Sequence, residues 1–184
     1  MRVLSVNVGS PREMANSRGA QVLSAIIKKP VEGPVAVKKL NLEGDRQADL
    51  TVHGGEDKAV YAYPSEHYGY WMEKFPRMEM PWGTFGENLT TEGLLEEVVH
   101  IGDTLVTGSA RLGVTQPRFP CFKLGLRFGT NAMVKLFLES ERTGFYLKVL
   151  KEGRIEAGDE IELIKTNSDS ETISAVVRKV KRSE

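Results

Sequence analysis

The only cysteine of the chain, Cys121, stands in the run QPRFPCFKL at 116–124. A lone thiol can fill a core as a small hydrophobe, act as a nucleophile, or serve as the one protein ligand of a metal whose other ligands arrive with a cofactor. Pro117 and Pro120 force extended or turn backbone and remove amide donors, which keeps Cys121 out of the middle of a strand or helix. Arg118 and Lys123 are close in sequence and favour the thiolate. A protein-only zinc site needs three or four ligands. Its candidates, Cys121, His53, His67 and His100, show no CxxC or HxxxH spacing, so such a site is not expected. A hydrolytic pair of Cys121 with His53 stays open.

Two other stretches carry residues of chemical interest. In DLTVHGGEDKAVYAYP at 49–64, Gly54 and Gly55 let backbone approach a ligand closely, and Lys58 suits a phosphate as a point charge. His53 is either a proton carrier or a loop histidine bonded to its own backbone. In GTFGENLTTEG at 83–93, Asn88 offers a donor and an acceptor that suit a pterin-like edge, or it satisfies a hairpin turn.

The elements that must position these residues are short. Residues 2–8 and 35–40 read as strands, 98–107 and 109–116 as a hairpin about Gly108-Ser109, and 145–150 and 159–164 as strands near the C-terminus. Helices are expected at 64–75, where Tyr68, Trp71 and Phe75 form an aromatic core stripe, and at 130–140. ISAVVRKVK after residue 172 fits a short helix or a strand. Seven or eight short strands without regular helical interleaving argue against a doubly wound sheet and for a mainly β, mostly antiparallel barrel or curled sheet with inserted helices.

At 184 residues the chain suits one domain. Lys plus Arg is 25 and Asp plus Glu is 25, so nothing suggests a nucleic-acid partner. No apolar run approaches the ~20 residues of a membrane span, and the N-terminus lacks the features of a signal peptide. One cysteine cannot form an internal disulfide, which points to a reducing, cytoplasmic setting.

Together, GDRQADLTVHGGEDKAVYAYPSEHY at 44–68, WGTFGENLTTEGL at 82–94 and IGD…QPRFPCFKL between 101 and 124 resemble the MOSC domain family, in its stand-alone YiiM-like branch. The likeness runs over roughly residues 1–165. It implies a MOSC-type β-barrel there, followed by a polar, basic tail at 166–184 where the branch usually has a helical extension; a different substrate range or partner is the corresponding expectation. It implies a molybdenum cofactor (molybdopterin) in a cleft, with Cys121 as the metal's protein ligand. By the same resemblance Arg118, Lys58 and Arg46 hold the cofactor's phosphate, Gly54 and Gly55 border it, Asn88 and Gln116 read the pterin or orient substrate, and His53 delivers protons. The implied activity is reduction of N-hydroxylated compounds to amines, a detoxifying reaction. The alternative is a non-catalytic carrier of sulfur or of the cofactor. No motif for an iron–sulfur or flavin site is present, so a separate electron-donor reductase is expected.

Overall fold

The structure, a computed structural model, describes residues 1–15, 19–46, 54–165 and 169–183. Among them the strands are β1 (Arg2–Val8), β2 (Arg12–Ala15), β3 (Gln21–Ser24), β4 (Lys29–Val31), β5 (Val35–Lys38), β6 (Asn41–Leu42), β7 (Val60–Pro64), β8 (Leu89–Glu92), β9 (Thr104–Thr107), β10 (Ala110–Pro117), β11 (Phe145–Lys151), β12 (Gly153–Ile155) and β13 (Ile161–Ile164). The helices are α1 (His67–Lys74), α2 (Phe122–Phe128), α3 (Ala132–Ser140) and α4 (Ile173–Ser183). No helix among the described residues is long and apolar enough to cross a membrane.

Eight strands form one sheet in the order β13-β9-β10-β11-β7-β8-β1-β4. Every pair in it is antiparallel except β7 with β8, which is parallel. A three-stranded sheet, β12-β5-β6, and the β2-β3 hairpin complete the set. The described ladder has edges at β13 and β4 and does not close into a ring. Its two sides meet only locally, through a bridge between Arg2 and Glu160, with the Val3 N–H on Asp159 O and the Ile161 N–H on Met1 O, both at 2.9 Å.

Strand β7 explains why the molecule has two cores. Side chains alternate across a strand, and all five residues of β7 are buried. Val60 and Ala62 face an aliphatic cluster with Val3, Val6, Leu105, Leu112 and Leu147. Tyr61 and Tyr63 face an aromatic cluster with Tyr68, Trp71, Phe85, Phe128 and Phe137. The aromatic stripe expected on α1 is thus core: Tyr68 and Trp71 are buried and Phe75 packs against them. The Trp71 indole N–H donates to the Tyr63 hydroxyl at 2.7 Å, so the one polar handle of each ring is used on the other.

Three expectations change. Residues 98–103 turn rather than extend, because the Asp103 carboxylate accepts the His100 N–H at 2.9 Å and Gly102 takes a φ of 88°. Helix α2, unforeseen, starts directly after Pro120-Cys121 and ends on Gly129 in the left-handed conformation. The segment expected as a tail contains α4, whose Ile173 joins the aliphatic core and whose Val177 is buried. Of the two readings open for ISAVVRKVK, helix or strand, the structure takes the helix, with only one face apolar.

Helix α4 is fastened to the end of α3. Lys181 Nζ and Arg178 Nε donate to the Glu141 carboxylate at 2.7 and 2.8 Å, and Lys181 also reaches the Glu139 carbonyl at 3.0 Å. These donors hold the Glu141 pKa below its ordinary value of 4.5. A carboxyl depressed in the folded state adds stability above its unfolded pKa and loses it as pH falls through the folded value. Glu141→Gln is therefore expected to lower stability by about 0.5–1 kcal/mol at neutral pH, small because water screens the pair. Urea unfolding at a series of pH values should show the gap to wild type closing below about pH 4.

Candidate functional site

Cys121 leads out of the strand-to-helix loop. It sits at the N-cap of α2 in extended conformation (φ −124°, ψ 171°), with its carbonyl accepting the Leu124 N–H at 2.9 Å. The two prolines have the effect expected of them: the thiol is in neither a strand nor a helix interior. It is half-buried and in no disulfide, on the wall of a solvent-open cleft with about 610 Å³ of empty space.

Arg118 lies in the same wall and is only 5% exposed. Its guanidinium packs 5.4 Å from the Tyr61 ring centre and 5.2 Å from that of Phe137. Burial opposes the charge, but Tyr61, Tyr146 and Cys121 around it outweigh burial and raise the pKa, so the group is a cation. Among the described residues it has no carboxylate partner, and its Nη1 is buried with no hydrogen bond. A desolvated cation with an unused donor is an unusual arrangement, because buried charges are ordinarily paired. Its backbone is fixed: the Arg118 N–H donates to Gly144 O at 3.2 Å, and the Gly144 N–H donates to Glu96 Oε1 at 2.7 Å. Gly144 has φ 62°, and a Cβ there would lie 2.4 Å from Ala62 O, so only glycine fits.

Another part of the lining is held by a buried ion pair. Lys28 Nζ reaches Asp45 Oδ1 and Oδ2 at 2.5 and 2.6 Å. Asp45 also accepts the Gly9 N–H at 2.8 Å and Asn88 Nδ2 at 2.9 Å. Burial lowers the Lys28 pKa, against the pull of Asp45. The loop before β8 is shaped from inside by Glu87, which accepts the Gly83 N–H, the Phe85 N–H, the Tyr68 hydroxyl and the Thr90 hydroxyl. Burial raises the Glu87 pKa despite these donors.

The fold brings Cys121, Arg118, Lys58 and Asn88 to one cleft. Asn88 is committed to the protein: besides Asp45 its Nδ2 reaches Asn7 O at 3.3 Å, and its Oδ1 accepts the Tyr61 N–H at 3.1 Å. Gln116, Arg46, Gly54 and Gly55 are not in the cleft lining. Gln116 lies on β10 opposite Tyr146, Arg46 is exposed beside Asp45, and Gly55 opens the 3-10 turn Glu56–Lys58. His53 lies outside the described residues. The other two histidines are engaged elsewhere, His67 with Glu96 at 2.8 Å and His100 with Lys165 at 2.9 Å. No cluster of three or more His, Cys, Asp or Glu side chains able to hold a metal occurs among the described residues. Lys28, Asp45, Tyr61, Lys123 and Tyr146 also line the cleft. Asp45 stands inside the 44–68 motif and was within reach of motif reading; Lys28, in IIKKP, carried no signal.

The MOSC domain profile matches residues 49–162. The chain belongs to the MOSC domain family. It is 45% identical over 162 residues to YflK of Bacillus subtilis, covering 88% of this chain and 72% of that protein. It is 40% identical over 148 residues to YiiM of Escherichia coli, covering 79% and 66%. A protein named Reductase from Gibberella moniliformis matches at 36% over 165 residues, covering 88% of this chain and 29% of its own length. The crystal structure of YiiM from Geobacillus stearothermophilus superposes with a TM-score of 0.80 at 36% identity, over 99% of this chain and 84% of the other.

MOSC domains are associated with molybdenum cofactor binding, and the cleft residues fit such a group. Cys121 offers a soft sulfur ligand, and the orphaned Arg118 Nη1 is a donor waiting for an anion. Lys58 and Lys123 add positive charge to the same cleft.

The two partners of this ion pair should respond differently to mutation. Asp45→Ala leaves the Lys28 ammonium buried and unpaired and is expected to cost about 3–5 kcal/mol. Lys28→Met leaves Asp45 with the Gly9 and Asn88 donors and should cost clearly less. Urea unfolding of both variants checks the order.

Proposed function

We propose that this MOSC protein is a molybdenum-cofactor-dependent oxidoreductase that reduces N-hydroxylated compounds, such as hydroxylamines and hydroxylaminopurines, to amines. The observation that carries the reading is the pairing, in one cleft, of a half-exposed thiol at Cys121 with a buried guanidinium at Arg118 that has no carboxylate partner among the described residues. Cys121 would be the metal's protein ligand. Arg118, with Lys58 and Lys123, would hold the cofactor's phosphate, the guanidinium gripping two oxygens at once. When bound, the cofactor supplies two-electron redox chemistry that no side chain of the cleft can supply. His53, in the His-Gly-Gly sequence at 53–55, is the proton carrier of this reading. The relative from Gibberella moniliformis, named a reductase, supports oxidoreductase chemistry over a carrier role. We further read the contact between β1 and the approach to β13 as barrel-type closure of the sheet, the locale as cytoplasmic, and the electron source as a separate protein.

The test is to express the chain in cells able and unable to make the cofactor. Bound molybdenum is then measured, together with reduction of a hydroxylaminopurine by an artificial donor. Metal without reduction would favour the carrier; no metal in either host would remove both readings. Cys121→Ala is expected to abolish metal retention and reduction with an unchanged thermal midpoint.

Arg118→Met makes a sharper prediction. Removing a buried, unpaired charge is expected to leave the protein as stable as wild type or up to about 2 kcal/mol more stable. The same variant should lose cofactor retention. A protein that unfolds instead would mean that the cation–aromatic contacts, rather than an absent anion, account for Arg118.

A further inference from the structure

A second concavity lies at the far end of α2 from Cys121. Its floor is apolar, from Phe75, Met78 and Phe128, and its rim carries Lys74, Arg77 and Arg127 against one acid, Glu79. Lys74 and Arg77 are exposed, and the Nε of Arg127 is buried without a hydrogen-bond partner. The chain as a whole has no net charge, so this groove is a local excess of cation over an apolar base. It is open to solvent, with about 1480 Å³ of empty space. That shape suits a protein surface better than a small molecule.

The groove shares no lining residue with the cleft, yet the two are joined by rings. Phe75 lies 5.2 Å, centre to centre, from Phe128, and Phe128 lies 5.5 Å from Phe85, which lines the cleft. Helix α2 runs the same way, with Cys121 at one end and Arg127 and Phe128 at the other; seven helical residues span about 10 Å.

Resting on the reductase reading above, we propose that this groove docks the acidic face of the protein that supplies electrons, and that the Phe75–Phe128–Phe85 row of ring contacts is the packed path from it to the cleft. Each turnover takes two electrons from the donor's reduced flavin or iron–sulfur centre and two protons from water. The N–O bond of the substrate breaks, an N–H bond forms, and the oxygen leaves as water. The donor is thereby oxidised by two electrons and the substrate reduced by two. Docking at the groove leaves the cleft mouth open for substrate, whereas a donor seated over Cys121 would exclude it. Cationic rims steer acidic partners and suit the small, transient contacts of electron transfer.

The probe is reduced flavodoxin, an acidic FMN protein, with the full chain carrying its cofactor. Binding followed by fluorescence anisotropy should weaken with added salt. Lys74→Glu/Arg77→Glu should weaken it about tenfold or more, and Arg127→Gln to a lesser extent. Lys179→Glu/Arg182→Glu, an equal charge change on α4, should not. Absence of wild-type binding, or equal binding by Lys74→Glu/Arg77→Glu, overturns the proposal. Reduction driven by methyl viologen, a dye that needs no docking, should be unchanged in Lys74→Glu/Arg77→Glu. Loss of dye-driven reduction in the wild type would sink the reductase reading, while the binding comparison would still decide the groove.

Discussion

A guanidinium out of water with no counter-ion is an arrangement that folding alone would not select, because several kcal/mol of desolvation per ion must be offset elsewhere. Among the described residues Arg118 is in that position, and much of the surrounding structure bears on holding it there. The faces of Tyr61 and Phe137 give partial compensation through their ring quadrupoles. Tyr61 is itself tied down, its hydroxyl donating to Thr143 O at 2.8 Å, one residue before the glycine that receives the Arg118 N–H. Glu96 then connects that glycine to His67 on α1. The chain of contacts runs from a helix through a buried carboxylate and a glycine that cannot be replaced to the backbone of the arginine. The side chain keeps its charge, its position and one unused donor.

Another part of the cleft lining solves the same problem in the opposite way. Lys28, Asp45, Asn88 and the Gly9 amide bond to one another. Such a network rigidifies a loop junction but offers little to a ligand. The contrast separates support from recognition within one pocket. Groups bonded within the protein set the shape, and a donor left unbonded is open to a ligand. Asn88 lines the cleft while bonding to Asn7, Asp45 and Tyr61.

The legibility of the sequence follows the same division. Period-two and period-three-to-four patterns are local, so β1, β5, β10, β11, β13, α1 and α3 could be read from residue order. Cys121 was legible because flanking prolines exclude regular structure at any tertiary arrangement. The parallel pairing of β7 with β8 was not, since strand neighbours are set by long-range packing. Helix α4 was legible only as one of two alternatives, helix or strand, because a charged run hides an apolar stripe of which only Ile173 and Val177 go fully under cover. Lys28 and Tyr146 were invisible for a similar reason, being ordinary residues in ordinary segments until the fold sets them beside Arg118 and Asp45. Arg46 and Gln116 show the converse: both belong to the motifs, yet neither is in the cleft lining.

Strand β7 is where these threads meet. Its two faces belong to different cores, so a change on one face is felt in the other through a shared backbone. Tyr61 supports the cleft arginine, while Tyr63, two residues on, stacks on Phe85 at 4.5 Å and accepts from Trp71. Phe85 touches Phe128 in turn. The aromatic core is therefore a continuous body that reaches the cleft wall on one side and the cationic groove on the other. An aliphatic core of the same volume would bury as much surface, but its residues would offer neither ring faces for a guanidinium nor hydroxyls for backbone carbonyls. The choice of aromatic residues on this side of the sheet follows from what the cleft requires.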